Sequence, residues 1–339
     1  MSPSLTIDAI GEEALIDRIK LRTARDGRPY AFVSTGIGDD AAVLMGERSA
    51  VEVVTTDSVV EGVHFRRDWT TAHAIGHKAL AVNLSDIGAM GATPRACLLS
   101  LILPASLSIE DFDSLIDGFA CVAERAGMAL VGGNITRSPG PLVLDVTAIG
   151  SVRPRKVLRR SGAEPGHELY VSGSVGAAAA GLAMLQAGVS RASLGDDGLG
   201  CINRYERPDA RWKLGGSIAR AGGASAAIDL SDGLADGASR LAAAGQVGLV
   251  IEADALPIHP GLTWLAQHGH DPITVALQGG EDYELLFAVP PRRRSRFRAA
   301  AARARNVPMT RIGRFVPEPG VWLERSGVRT PLPIGFRHF

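Results

Sequence analysis

Strand-length apolar runs alternate with amphipathic helices along this chain, and a single basic, glycine- and proline-rich stretch interrupts the alternation. VEVVTTD (51–57), ACLLSLIL (96–103), MALVGG (128–133) and PLVLDVTAIGSV (141–152) read as strands, the first ending on Asp57. Helical patterns surround them. Leu15, Ile16 and Ile19 share a face between Glu12 and Thr23, and residues 71–90 form a helix stopped by Gly91 and Pro94. SIED at 108–111 resembles a capping box; after it Phe112, Leu115, Ile116 and Phe119 keep the spacing of one helix face. The order β-α-β-α-β-β predicts an αβ layer with its helices on one face. RPRKVLRRSGAEPG (153–166) then marks a boundary, giving domains 1–152 and 153–339. The second restarts with ELYVSG (168–173) and a Gly/Ala-rich helix (176–187). RASLGDDGLG (191–200) reads as a mobile loop. A helix at 209–221, a strand AAIDL (226–230), a helix from 232 and a strand VGLVIEA (247–253) follow. YELLFAVP (283–290), an Arg-rich helix (292–305) and two short strands end the chain. The fold class is therefore α/β (α+β) in two domains, with no residue-level repeat.

Charge and cysteine usage narrow the function. Lys plus Arg equals Asp plus Glu, 36 of each in 339 residues, so no broad field draws nucleic acid or an anionic membrane. Cys97, Cys121 and Cys201 show no CxxC spacing and sit among small or apolar neighbours, which predicts buried thiols in a reducing compartment. No apolar run approaches the roughly 18 residues of a membrane span. The N-terminal segment lacks a charged region followed by an apolar core, so a cytoplasmic location is expected.

The chemistry lies in the acids. GIGDD (36–40), TTDSVVEG (55–62), NLSDIGAMG (83–91) and DLSDGL (229–234) place carboxylates at strand ends or in glycine-bounded turns, and GGEDYEL (279–285) precedes a strand. Like charges repel in such places unless a cation neutralises them. Mg²⁺ suits them, since it takes oxygen ligands and uses one or two carboxylates plus substrate phosphates. Taken singly each motif is a solvated turn or a cap: Asp57 as an Asx turn, Asp232 as the cap of the next helix. Five together weaken that reading. Gly36, Gly38 and Ala41 nearly spell a dinucleotide fingerprint, but Asp39 and Asp40 exclude direct phosphate cradling. Asp40 would hold phosphate through a metal, while Asp39 orients the turn. No Walker A lysine and no protein-kinase signature is present. His73 and His77 read as exposed helix histidines, and the Arg-rich helix as a solvated basic face. GSVGAAAAG (173–181) offers either helix N-terminal amides to an anion or close helix packing.

Taken in order, GIGDDAAVL, TTDSVVEGVHF, KALAVNLSDIGAMGATP, GGNITR, LRRSGAEPG, AIDLSDGL and GGEDYELLF resemble the thiamine-monophosphate kinase family, in a superfamily with aminoimidazole ribonucleotide synthetase and selenophosphate synthetase. The resemblance implies an N-terminal ferredoxin-like layer that pairs with a second copy into a dimeric β-barrel, and a C-terminal αβ domain completing the substrate and nucleotide site. It implies ATP-dependent phosphorylation of thiamine monophosphate to thiamine diphosphate. It carries the metal ligands to Asp40, Thr55, Thr56, Asp57, Asp86, Asn134, Asp229 and Asp232, for several Mg²⁺ ions. Nucleotide contacts go to Gly133, Asn134, Arg160 and Ser231, and substrate contacts to His64, Glu281 and Phe336. Two positions depart from the family pattern. Asn134 stands where GGDTTR has an acid, and Phe336 lacks a phenol hydroxyl. A related ATP-dependent synthetase acting on another small substrate and a non-catalytic nucleotide or thiamine-phosphate binder are the alternatives. No general base is expected, because a phosphate monoester with a second pKa near 6 is already largely a dianion at neutral pH.

Overall fold

Apolar spacing of the kind above forms helices and strands only when a second layer covers it, and the chain supplies that layer in each half. The structure, a computed structural model, describes residues 5–24, 30–304, 307–333 and 335. Phe336, and Arg305 of the basic helix, lie outside the described residues. The chain divides into two compact units, Met1–Ile87 with Pro94–Pro154, and Gly88–Thr93 with Arg155–Phe339.

The first unit opens with α1 (Glu12–Thr23) and a short hairpin, β1 (Val33–Thr35) and β2 (Val43–Leu44). Then come β3 (Val51–Val60), α2 (Ala72–Ala89), β4 (Thr93–Pro104), α3 (Ile109–Ala126), β5 (Ala129–Ser138) and β6 (Val143–Val152). They build a 4-stranded sheet in the order β3-β6-β4-β5, with β3 and β6 antiparallel and β4 and β5 parallel. α3 starts as its sequence demands: the Asp111 N–H donates to Ser108 Oγ at 3.0 Å. Phe112, Leu115, Ile116 and Phe119 are fully buried. Period-two alternation buries Leu144, Val146 and Ala148 on one face of β6. On the opposite face, Tyr30, Phe32 and Val33 of the hairpin region pack with Ala96 and Ile149, while Val54 stays 61% exposed. The two helices approach through glycine. A Cβ on Gly118 would lie 1.9 Å from the His73 carbonyl oxygen, and one on Gly76 1.9 Å from that of Leu115.

The second unit contains β7 (Glu168–Ser172), α4 (Ala177–Gln186), α5 (Asp196–Glu206), α6 (Trp212–Ala221), β8 (Ala226–Asp229), α7 (Leu234–Gly245) and β9 (Gly248–Glu252). α8 (Thr263–Gln267), α9 (Pro272–Gln278), β10 (Leu285–Val289), α10 (Arg294–Arg303), β11 (Met309–Val316), β12 (Val321–Arg325) and β13 (Val328–Pro331) follow. Its 7-stranded sheet runs β13-β12-β9-β11-β7-β10-β8. β7, β8 and β10 are buried along their whole length, which explains why they read as continuous apolar runs. Tyr170 of β7, Ile218 of α6, Phe287 of β10 and Phe297 of α10 meet in one core cluster.

Several expectations change. Residues 191–200 are not a loop, because α5 begins at Asp196, with Asp196 and Asp197 in its first turn where carboxylates favour the helix dipole. Among the described residues, three strands rather than two follow the basic helix. β3 runs on to Val60, so Asp57 sits inside a strand and not at its end. Cys121 is exposed, whereas Cys97 and Cys201 are buried. His77 is buried rather than exposed. The basic helix is tied down on one side: Arg294 pairs with Glu168 at 2.5 Å, and Arg293 donates to the Ala224 carbonyl at 3.2 Å. Among the described residues, no helix is long and apolar enough to cross a membrane.

The glycine crossing yields a prediction. Gly118→Ala forces a methyl group into backbone of the facing helix, so it should cost about 1–3 kcal/mol or more. A urea midpoint equal to that of the parent protein would show that the helices can part without penalty.

Candidate functional site

In the first unit the acids gather on β3 and α2. Thr55 Oγ1 donates to Asp86 Oδ2 at 2.5 Å. Asp57, two residues along the strand, shares the Thr55 face. Thr56 alternates to the other face, where its hydroxyl lies 3.3 Å from Asp145 and 3.2 Å from Thr147. The three consecutive candidates Thr55, Thr56 and Asp57 therefore do not present their side chains to one centre. Ser58 joins Thr56 on that face and donates to Asp145.

Asp40 is exposed in the turn between β1 and β2. Its N–H donates to Asp39 Oδ1 at 2.9 Å, so the Asp39 carboxylate is engaged in shaping the turn. His64 follows β3 in a tight turn; its Nδ1 accepts from the Val60 N–H at 3.1 Å, and its carbonyl accepts from the buried Lys78 ammonium at 2.9 Å. On β5, Gly133 pairs with Leu99 and Asn134 with Ser100. A Cβ on Gly133 would fall 1.9 Å from the Leu99 carbonyl oxygen, so only glycine fits. Asn134 is exposed, and its register with Ser100 places it on the face opposite the buried Leu99 and Leu101.

In the second unit, GGEDYEL wraps around the segment between β8 and α7. The Glu281 N–H donates to the Ser231 carbonyl at 2.6 Å, and the Tyr283 N–H to the Leu230 carbonyl at 3.0 Å. Asp229, buried at the end of β8, pairs with Leu285 of β10. Asp229, Ser231, Asp232 and Glu281 are thus brought together. Arg240 of α7 bonds Asp236 and reaches within 3.6 Å of Asp232. Arg160 is exposed, one residue beyond Arg159, whose carbonyl accepts from the Ala227 N–H at 3.0 Å.

The three acids of GGEDYEL have separate fates. Glu281 has φ 67° and Tyr283 φ 50°, both left-handed without being glycine. Such residues cost of order 1–3 kcal/mol each and persist only where their surroundings hold them. Asp282 accepts from the Gly176 N–H at 2.5 Å and the Ala178 N–H at 3.0 Å, capping α4 from a distance. Those amides are the ones an anion at GSVGAAAAG would need. Burial pushes the Asp282 carboxyl up to about 6, against the two amide hydrogen bonds. Glu284 is fully buried between Arg204 at 2.6 Å and Arg211 at 2.5 Å, and Ser172 donates to it at 2.5 Å. Although burial opposes its ionisation, Arg211 and Arg204 hold its carboxyl below the usual glutamate range.

α5 supplies partners that the motifs do not disclose. Arg204 donates to the Asp282 carbonyl at 3.4 Å as well as to Glu284. Burial raises the Tyr205 phenol, and the charges of Glu281 and Glu206 raise it further. Ile202 and Tyr205, three residues apart and both buried, are the available signal. The glycines and acids of SLGDDGLG obscure it. Cys201 lies 3.4 Å from His259 Nδ1, but burial pushes its thiol up to about 12, so this pair is no activated nucleophile.

Among the described residues, no group of three or more His, Cys, Asp or Glu side chains stands ready to enclose a metal. The candidate donors are hard oxygens throughout, which suits Mg²⁺ held by one or two carboxylates, with water and substrate phosphates completing its shell.

Comparison with known proteins adds to this geometry. Residues 38–152 match the family AIR synthase related protein, N-terminal domain, and residues 164–324 match its C-terminal domain. The thiamine-monophosphate kinase of Rhodopirellula baltica is 33% identical over 96% of this chain and 97% of its own length. The crystal structure of thiamine-monophosphate kinase from Stenotrophomonas maltophilia K279a is 40% identical, covers 91% of this chain and 95% of its own, and has a TM-score of 0.81. AaThiL complexed with AMPPCP and TMP is 33% identical over 100% of both chains, with a TM-score of 0.76.

Two predictions concern GGEDYEL. Glu281→Gly and Glu281→Ala delete the same carboxylate, but only glycine accepts φ 67° freely. Glu281→Gly should therefore be the more stable of the two by about 1 kcal/mol; the reverse order in urea denaturation would refute the strain. The second concerns pH. A carboxyl raised from 3.8 to about 6 on folding contributes stability that is present at acid pH and lost as pH rises through 6. Asp282→Asn has no such dependence, so its stability loss should be smaller at pH 7.5 than at pH 5. Equal losses at both values would contradict the shift.

Proposed function

Since the chain belongs to the thiamine-monophosphate kinase family of AIR synthase related proteins, we propose that it transfers the γ-phosphoryl group of ATP to thiamine monophosphate, giving thiamine diphosphate and ADP. The observation that carries this reading is the bond between Glu281 and Ser231: the residue read as holding substrate is fixed to the residues read as holding nucleotide and metal.

The acceptor dianion has no proton to give up, so the chain needs no general base. The obstacle is repulsion between two polyanions, and positioning with charge neutralisation must overcome it. Bound Mg²⁺ would neutralise phosphate charge. Of several such ions, Asp40, Thr55, Asp57 and Asp86 would hold those of the first unit, with Asn134 offering an uncharged amide oxygen, and Asp229 and Asp232 would hold those of the second. Thr56, whose hydroxyl faces Asp145, and Asn134, on the same sheet face, are the weakest members of that set. Gly133, Asn134, Arg160 and Ser231 would contact nucleotide, Arg160 as a guanidinium clamp. His64 and Glu281 would hold polar edges of the acceptor, and Phe336 would stack on a thiamine ring. The exposed sheet face around Val54 and Leu98 would pair with a second copy as a homodimeric barrel.

The test is a product assay. Thiamine monophosphate, ATP and Mg²⁺ should give thiamine diphosphate and ADP one to one, and chelation should stop turnover. Turnover of a different small substrate alone would favour a related synthetase, and binding without turnover a sensor. Asp86→Asn should lower kcat roughly a hundredfold or more while leaving the metal-free melting temperature unchanged. A near-normal kcat at saturating Mg²⁺ would remove Asp86 from the metal site.

A further inference from the structure

Glu281 is half-buried in a backbone conformation that its own residue type disfavours, so something else must choose its direction. Two independent attachments do so. On one side, the main chain of residues 281 and 283 is bonded to Ser231 and Leu230. On the other, the Asp282 carboxylate, 1% exposed, is fixed to the first amides of α4. Successive side chains on a chain so constrained point apart, so anchoring Asp282 on α4 also fixes where the Glu281 side chain leaves the turn. Arg204 closes the arrangement by binding the Asp282 carbonyl and Glu284 together.

We propose that Asp282, seated on the N-terminus of α4 and backed by Arg204, is a positioning residue that aims Glu281 at the phosphate acceptor. The proposal rests on the reading of Glu281 as a substrate contact. Asp282 touches no substrate in this scheme. It sets acceptor affinity through Glu281 and leaves nucleotide binding alone.

The experiment is a double-mutant cycle on the full chain with ATP, Mg²⁺ and thiamine monophosphate. Asp282→Asn should raise the KM for thiamine monophosphate roughly tenfold, as loss of one charge-assisted hydrogen bond would. Its KM for ATP should stay within about twofold of the parent value, and kcat should change little. In a Glu281→Gln background, Asp282→Asn should add nothing, because its effect passes through Glu281. Arg204→Lys, which keeps a charge for Glu284 but loses the fork, should give a weaker version of the same pattern if Asp282→Asn folds poorly. Additive losses in the cycle, or equal rises in both KM values, would overturn the positioning role and leave Glu281 as a contact. A Glu281→Gln enzyme with parental KM would overturn the reading of Glu281 itself, and the proposal with it.

Discussion

The second unit is organised around one buried charge. Glu284 is removed from water entirely, and an ionised carboxylate in that position is tolerable only with partners that satisfy it. Arg204 comes from α5, Arg211 from the start of α6, and Ser172 from the end of β7. Each of these elements must arrive for the charge to be neutralised. Gly173 is part of the same demand, since a Cβ there would lie 2.1 Å from the Glu284 carboxylate. The neighbouring residues of GGEDYEL inherit their geometry from this fixed point.

That dependence explains what the sequence could and could not disclose. α3 was legible because its cap and its apolar stripe are local signals, readable without knowledge of the partner layer. The buried strands were legible because continuous apolar runs of that length have few other uses. α5 was hidden because its glycines and leading acids mimic a loop, while the reasons for its helicity, Arg204 against Glu284 and the buried Tyr205, are tertiary. The acidic motifs were legible in the sequence, and the division of labour within them was not. Glu281, Asp282 and Glu284 are three carboxylates within four residues. Only the approach of α4, α5 and α6 separates Asp282 and Glu284, which build structure, from Glu281. Thr55 and Thr56 make the same point in a strand, where adjacent hydroxyls look equivalent in sequence and point to opposite faces.

The proposed chemistry suits such a scaffold. A reaction with no proton to abstract asks for fixed charges at fixed places, and fixed charges need rigid supports. Within the first unit a hydroxyl and a carboxylate meet between a strand and a helix, and within the second a turn bearing acids is clamped by main-chain hydrogen bonds.

The left-handed backbone at Glu281 also limits how this protein can be diversified. Most side chains resist that conformation, while Gly, Asn and Asp accept it. A library of substitutions at this position would therefore find few viable letters.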